Sequence, residues 1–165
     1  MRAAASSASF PTPSDREAVA ALLGRPPVTD FRVAVRCPHG APAVIENAPR
    51  DRAGRPFPTR DWLVCRRLVE AVSRLEAAGG VRALEEDPAM RPAVLAAHRR
   101  HAAGHGGHRV AGAGDPAHVK CLHAHLAFAM AEGGGPIGDW IGARAELAWP
   151  ERCCREGGEP AGSSR

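Results

Sequence analysis

Glycine and proline interrupt this chain so often that only short helices and strands fit between them. Its 165 residues include 18 glycines and 15 prolines, and both types end or kink regular structure. No apolar run approaches the roughly 18 residues that a membrane-spanning helix needs. We therefore expect many turns and no membrane insertion. The first ten residues also lack the apolar segment of a signal peptide, which predicts a cytoplasmic protein.

The balance of residue types predicts one folded domain. Apolar residues make up 44% of the chain, which is enough for a single core. The formal charge of +4 is small, and the arginine pairs at 66–67 and 99–100 have no aromatic residues beside them. Nucleic-acid binding usually needs a continuous basic face with stacking residues. We expect no nucleic-acid partner, whereas a protein partner stays open.

Hydrophobic periodicity and turn residues predict an α+β fold, with a small β-hairpin layer packed against three or four helices. Residues 31–36 and 43–46 are the predicted strands, joined by a turn at 37–40. The predicted helices are 14–23, 66–78, 92–100, 115–132 and a short one after 139. The first would begin with a capping box of Ser14 and Glu17. We expect one domain over residues 14–148, with disordered tails at 1–13 and 149–165.

A segment rich in histidine, glycine and alanine follows the predicted helix 92–100. Residues 101–114 predict a flexible loop. The histidines around it have spacings that a metal site can use, but a solvated loop is the preferred interpretation. They are His98, His101, His105 and His108.

Three cysteines lie at predicted element boundaries. Cys37 begins the hairpin turn, Cys65 precedes a helix, and Cys121 lies near two histidines. Three thiols with an imidazole form the ligand set of a zinc site or an iron–sulfur centre. Buried, inert thiols explain the pattern equally well, and Cys65 before a helix N-terminus could instead be a nucleophile. Cys153 and Cys154, in the predicted tail, should lie well away from the other three.

The fourth ligand depends on the backbone at Cys121. On a regular helix, Cys121 and His125 share one face, and His118 is one turn earlier. His123 then points to the opposite side. His123 can join Cys121 only if the backbone there is irregular.

Several blocks of this sequence resemble the actinobacterial "domain of unknown function 501" family. The resemblance covers about residues 22–142. The blocks are Val35-Arg36-Cys37-Pro38-His39-Gly40, Pro56-Phe57-Pro58-Thr59, Trp62-Leu63-Val64-Cys65, Val72-Ser73-Arg74-Leu75-Glu76 and Val119-Lys120-Cys121-Leu122-His123.

The resemblance implies a ligand set but no activity. Family members carry cysteine or histidine at the position of Cys65, an exchange that a metal ligand tolerates. The Lys-Cys-Leu-His block implies Cys121 and His123 as a pair, against the helical argument for His125. Family genes tend to lie beside those for enolase, a septum-formation initiator and an exopolyphosphatase, an association that says nothing about mechanism.

The sequence thus predicts a zinc site of Cys37, Cys65 and Cys121 with either His123 or His125. Its three sulfurs should then converge on one ion. Glu76 and Lys120 are candidate polar neighbours if a coordination position stays open. Two alternatives stay open: an iron–sulfur protein, and a non-enzymatic interaction module linked to cell division or envelope growth. Whether the protein is an enzyme is undecided.

Overall fold

The segment after Asp30, in which apolar residues alternate with polar or small ones, forms the edge of a small antiparallel sheet. In the computed structural model, which describes residues 8–153, the strands are β1 (Phe31–Arg36), β2 (Pro42–Asn47) and β3 (Asp61–Leu63). They lie side by side in the order β1-β2-β3. The predicted hairpin is therefore present. Its turn closes where the Cys37 carbonyl accepts the Gly40 N–H, and Gly40 takes the positive φ of 80° that favours glycine.

Helices account for most of the remaining regular structure. Together with the sheet they confirm the α+β class. None of them, over residues 8–153, is long and apolar enough to cross a membrane. The helices are α1 (Pro13–Leu23), α2 (Arg66–Ala77), α3 (Gly80–Glu86), α4 (Arg91–Gly104), α5 (Leu122–Ala131) and α6 (Pro136–Arg144), with a 3₁₀ turn at Val110–Gly112.

Helix α5 is central to the packing and contacts β3, α2, α4 and α6. Its residues are buried almost all round, because the sheet lies on one side and helices on the others. Leu122 and Phe128 are among the largest fully buried side chains. Any group placed at the start of α5 is therefore held against the core.

Two helix starts differ from the sequence predictions. The capping box of α1 consists of Thr12 and Asp15 rather than Ser14 and Glu17. Pro13 then occupies the first turn, where its missing N–H costs nothing. Helix α5 begins at Leu122 and not at 115, because residues 113–121 run through bends, turns and extended backbone.

The histidine-rich segment is not a solvated loop. Helix α4 continues to Gly104. Its two histidines, His98 and His101, are buried, and so is His105 directly after the helix. The prediction failed because each ring has a nearby backbone carbonyl at hydrogen-bond distance, which offsets the cost of burial. The buried pairs are His98 with the His118 carbonyl, His101 with the His108 carbonyl and His105 with the Phe57 carbonyl.

The described parts of the two predicted tails touch the rest of the fold. Ser9 forms a β-bridge with Val33, and Trp149 packs on the main hydrophobic cluster. Cys153 is buried and close enough to Cys37 to affect the pKa of that thiol, so the prediction that it lies well away from the other three cysteines is wrong for Cys37. Cys154 and the rest of both tails lie outside the described residues. The domain boundaries at 14 and 148 stay a prediction.

Candidate metal centre

Three side chains of different chemistry meet where α2 and the start of α5 lie together. Ligand atoms of Glu76, Cys121 and His123 all lie within 4.8 Å of one another. Over residues 8–153 this is the one such group of three or more potential metal ligands. All three residues are partly buried, so the site is sheltered yet open to an ion from solvent.

The backbone at Cys121 explains why His123 belongs to this group. Cys121 is the N-cap of α5 and has extended dihedral angles, φ −161° and ψ 124°. Its side chain therefore does not follow the helical progression that would have paired it with His125. The Cys121 sulfur lies 3.8 Å from Nδ1 of His123.

Glu76 supplies the cap that α5 lacks. The Cys121 side chain makes no capping hydrogen bond, and the first N–H groups of a helix need acceptors. Oε1 of Glu76 accepts the Leu122 N–H at 2.6 Å. The same oxygen lies 3.2 Å from Nδ1 of His123. The cap thus places a carboxylate beside the thiol and the imidazole.

Two hydrogen-bond partners on the second ring nitrogen of His123 fix the orientation of the ring. Nε2 lies 3.1 Å from both the Val69 carbonyl and the Ser73 hydroxyl oxygen, each on α2. A neutral ring that donates from Nε2 to Val69 presents the Nδ1 lone pair to Cys121 and Glu76. Metal-binding histidines are commonly held in this way by a carbonyl on their second nitrogen.

The charges around His123 change its affinity for protons. Burial lowers the pKa of the ring, but the hydrogen bond with Cys121 and the charge of Glu76 outweigh burial and raise the pKa to about 9. The group therefore favours a positive charge at Nδ1. A proton meets that preference, and so does a metal cation.

Two of the three separations within the group are close to those of a tetrahedral zinc site. Zinc–ligand bonds of about 2.0 Å to nitrogen or oxygen and about 2.3 Å to sulfur put a nitrogen and an oxygen about 3.3 Å apart, and a nitrogen and a sulfur about 3.5 Å apart. The structure gives 3.2 Å and 3.8 Å. Hydrogen bonds among the three groups fit the same distances. The donor set is one that zinc accepts.

The other three predicted ligands lie outside this group. Cys37 is buried at the hairpin turn, where Cys153 is its neighbour. Cys65 is the N-cap of α2 and is only 1% exposed, which does not favour the accessible nucleophile considered above. The structure thus brings Cys121 and His123 together, but it does not add Cys37 or Cys65 to their group.

His125 occupies a different environment. Its ring is 1% exposed and packs edge-on against His98, with ring centroids 5.2 Å apart. Neither of its nitrogens has a hydrogen-bond partner among the described residues. Burial and the neighbouring histidines lower its pKa to about 3, so the ring is neutral at ordinary pH.

A second glutamate–histidine pair shows which features are particular to the site. Oε1 of Glu85 lies 2.8 Å from Nδ1 of His118 and accepts the Val119 N–H at 2.7 Å. It resembles the pairing of Glu76 with His123 and the Leu122 N–H, but it has no thiol. The two glutamates fasten both ends of the segment 118–123 to the helical layer.

Comparison with known proteins agrees with the resemblance seen in the sequence. The family described as "Protein of unknown function (DUF501)" matches residues 33–109 and 98–143. The chain belongs to the DUF501 family. None of the curated proteins or solved structures compared with it matches. Family membership therefore carries no activity to this chain. The matched ranges contain all three members of the Glu76–Cys121–His123 group.

Glu76 is the member of this DUF501 site that sequence reasoning did not place among the ligands. It lies 46 positions before Leu122, whose N–H it caps, and no local spacing rule connects residues so far apart. Its only sequence signal was its position in a family-like block within the predicted helix 66–78. The missing cap at Cys121 becomes visible only once the start of α5 is known.

Proposed function

We propose that this protein binds a divalent transition metal, most naturally zinc, through Glu76, Cys121 and His123. The observation that carries the proposal is the convergence of a carboxylate, a thiol and an imidazole within 4.8 Å. Support comes from the His123 ring, whose Nε2 faces the Val69 carbonyl and leaves Nδ1 toward the other two groups. Zinc is bound by these three ligand types.

The ligand set favours zinc over an iron–sulfur cluster. Clusters are held mainly by cysteine thiolates, and this group contains one cysteine. Three protein ligands would leave a fourth coordination position for water, as in catalytic zinc sites. A fourth side chain would instead close the site and give it a structural role. The other sequence-predicted ligands, Cys37, Cys65 and His125, lie outside the group, so one of them could fill that position only if the site rearranged on binding.

The test is the metal content of full-length protein purified without chelator. We expect about one zinc per chain by elemental analysis, and we expect Cys121→Ser, His123→Ala and Glu76→Gln to lower it. Glu76→Gln keeps an oxygen that can accept the Leu122 N–H, so a loss of zinc in this variant reports on the carboxylate. The matched controls Glu85→Gln and His118→Ala alter the similar pair without a thiol and should leave zinc unchanged.

Further variants decide between the two ligand sets. Cys37→Ser, Cys65→Ser and His125→Ala should each retain zinc if the Glu76 group alone holds it. Loss in one of them identifies the fourth ligand. Metal-free protein from every preparation, with no zinc bound on titration at neutral pH, would contradict the proposal. A brown protein containing iron and sulfide would favour the iron–sulfur alternative.

A non-enzymatic function is the second candidate, and the Glu85–His118 pair is the observation that favours it. That pair fastens residues 118–119 without any thiol, so Glu76 and His123 could serve the same structural purpose. The protein would then act as an interaction module with a metal-free site. Unchanged thermal unfolding of the parent protein with chelator and with zinc would support this alternative.

A further inference from the structure

A cleft of about 410 Å³ lies between α4 and the chain segment that follows it. Its volume is in the range of small-molecule sites. Leu95, Ala102 and Pro116 give it apolar walls, and Arg99 and Arg109 give it positive charge. Among the described residues that line it, none is acidic. The cleft therefore combines apolar surface with two cations.

Arg109 is a half-buried cation whose guanidinium group has no acidic partner in the described chain. Its Nη1 donates hydrogen bonds to the carbonyls of Gly114, at 3.0 Å, and Ala113, at 3.4 Å. These bonds hold one side of the guanidinium group in place but do not neutralise its charge. Charges removed from water are usually paired. An anion bound beside Arg109 would supply the missing partner.

Arg99 is the second cation of the cleft. Its exposed side chain forms no hydrogen bond or ion pair with any other described residue. Asp115 is the acid whose charge reaches this region, since it acts on the neighbouring His98. However, Oδ1 of Asp115 accepts the Ala117 N–H, and Asp115 does not line the cleft. The positive charge of Arg99 is therefore available to a ligand.

His98 also lines the cleft, but its ring is already engaged with the protein. Its Nε2 lies 3.0 Å from the His118 carbonyl oxygen, and its Nδ1 accepts the Val110 N–H at 3.2 Å. Both ring nitrogens thus have partners. Recognition of an anion in this cleft falls to Arg99 and Arg109.

We propose that this cleft binds a small phosphate monoester that carries an apolar substituent. Such a phosphate group has about two negative charges at neutral pH and three acceptor oxygens, which match two guanidinium groups without acidic partners. Guanidinium groups bind phosphate through paired N–H donors. A monocarboxylate would neutralise one cation and leave the other unpaired. The apolar walls of the cleft would cover the substituent.

The proposed phosphate site is separate from the proposed metal site. None of the residues that line the cleft belongs to the Glu76–Cys121–His123 group. A phosphate oxygen can also bind a metal ion directly, so the experiment has to distinguish the two sites. Cys121→Ser does this, because it removes a metal ligand and leaves the cleft unchanged.

The experiment is calorimetric titration of the full-length protein with phenyl phosphate, inorganic phosphate and phenol at neutral pH and low ionic strength. We expect phenyl phosphate to bind with a dissociation constant of about 1 mM or lower. Inorganic phosphate lacks the apolar contact and should bind roughly tenfold more weakly. Phenol lacks the charge and should not bind measurably.

Three arginine variants test the residues that hold the phosphate. Arg109→Gln and Arg99→Gln should each weaken phenyl phosphate binding by about tenfold or more. Arg91→Gln is the matched control, because Arg91 is an exposed arginine on the same helix that does not line the cleft. It removes the same charge and should keep the affinity of the parent protein, as should Cys121→Ser.

Nuclear magnetic resonance of the parent protein locates the ligand without any variant. Phenyl phosphate should shift the amide signals of Leu95, Gly107 and Arg109, so the test holds even if Arg109→Gln does not fold. No binding, shifts confined to the start of α5, or equal weakening by Arg91→Gln and Arg99→Gln would each overturn the proposal. Zinc content measured in parallel reports on the metal proposal alone.

Discussion

Asp61 is one of the two buried residues, within residues 8–153, whose side-chain polar atoms have no hydrogen-bond partner. Its side chain is 2% exposed at the start of β3, and neither carboxylate oxygen has a hydrogen-bond partner among the described residues. Burial is the main cause that raises the pKa of Asp61 to about 7. The charge of Arg60 lowers this pKa, whereas the charges of Glu46 and Glu132 raise it further. At neutral pH the fold therefore holds a carboxyl group that resists ionisation.

Replacing Asp61 by Asn should stabilise the protein in a pH-dependent way. Between about pH 4 and pH 7 the unfolded chain loses the Asp61 proton while the folded protein keeps it, so stability falls as pH rises. Asp61→Asn removes this loss, and we expect a gain of about 1–3 kcal/mol at pH 8 with little change at pH 4. Urea unfolding at both pH values measures it.

The exposed Asp30 offers a control for this prediction, since its side chain is 82% exposed. Asp30→Asn should change the free energy of unfolding by similar small amounts at pH 4 and pH 8. An Asp61→Asn gain that is equal at the two pH values would show that ionisation is not its cause.

At the scale of one helix, α1 depends on a single carboxylate. Oδ2 of Asp15 accepts the Thr12 N–H, while both Asp15 oxygens accept hydrogen bonds from Arg36 at 2.7 and 2.8 Å. These hydrogen bonds hold the pKa of Asp15 well below its usual range despite burial, and the one from Arg36 has the largest effect. Asp15 therefore caps α1 and joins it to the sheet.

We expect Asp15→Ala to lower the free energy of unfolding by about 2–3 kcal/mol at pH 7. The contribution of the carboxylate is present above the usual aspartate pKa and is lost as pH falls below it, so the gap to the parent protein should narrow in acid. Ser14→Ala and Glu17→Gln alter the capping box that the sequence pattern suggested. Each should lower the free energy of unfolding by no more than about 0.5 kcal/mol. Equal losses in all three variants would contradict the observed cap.

The helices α4 and α5 share a row of buried imidazoles that predicts sensitivity to acid. Burial lowers the pKa of His101 to about 4 and that of His125 to about 3. As pH falls below about 6.5, the unfolded chain takes up protons that the folded protein does not, so stability falls with pH.

His125→Leu should weaken this acid sensitivity without loss of a hydrogen bond, because neither His125 nitrogen has a partner among residues 8–153. We expect the dependence of the unfolding free energy on pH between 6 and 4 to become shallower by roughly 1 kcal/mol per pH unit. His108→Leu, which changes a less buried ring, should keep the parent slope. Denaturant unfolding across this pH range provides the comparison.

The same elements show what sequence patterns could predict. Period-two alternation identified β1, and the apolar stripe with Gly79 after it identified α2. The start of α5 could not be found in this way, because its cap, Glu76, comes from another helix. The burial of His98 and His105 escaped prediction for a related reason, since the carbonyls at hydrogen-bond distance from their rings are far away in the sequence. Local patterns specify elements, whereas contacts between distant residues specify the candidate site.

At the scale of the whole molecule, the proposed metal would add a further link between α2 and α5, which packing and the hydrogen bonds of Glu76 and His123 already join. Glu76 lies on α2, and Cys121 and His123 lie at the start of α5, which contacts the sheet and three helices. An ion that binds the folded protein but not the unfolded chain stabilises it by mass action, by about 2.7 kcal/mol at a free concentration one hundred times the dissociation constant.

Zinc should therefore raise the unfolding temperature of chelator-treated protein by about 5–10 °C. Cys121→Ser should unfold at one temperature with and without zinc, because it lacks the thiolate ligand. His118→Ala, which alters the thiol-free pair, should keep the full response of the parent protein. Differential scanning calorimetry at fixed zinc concentration measures all three. A zinc response that persists in Cys121→Ser would place the stabilising ion elsewhere, since the Glu76 group retains only two of its ligands in that variant.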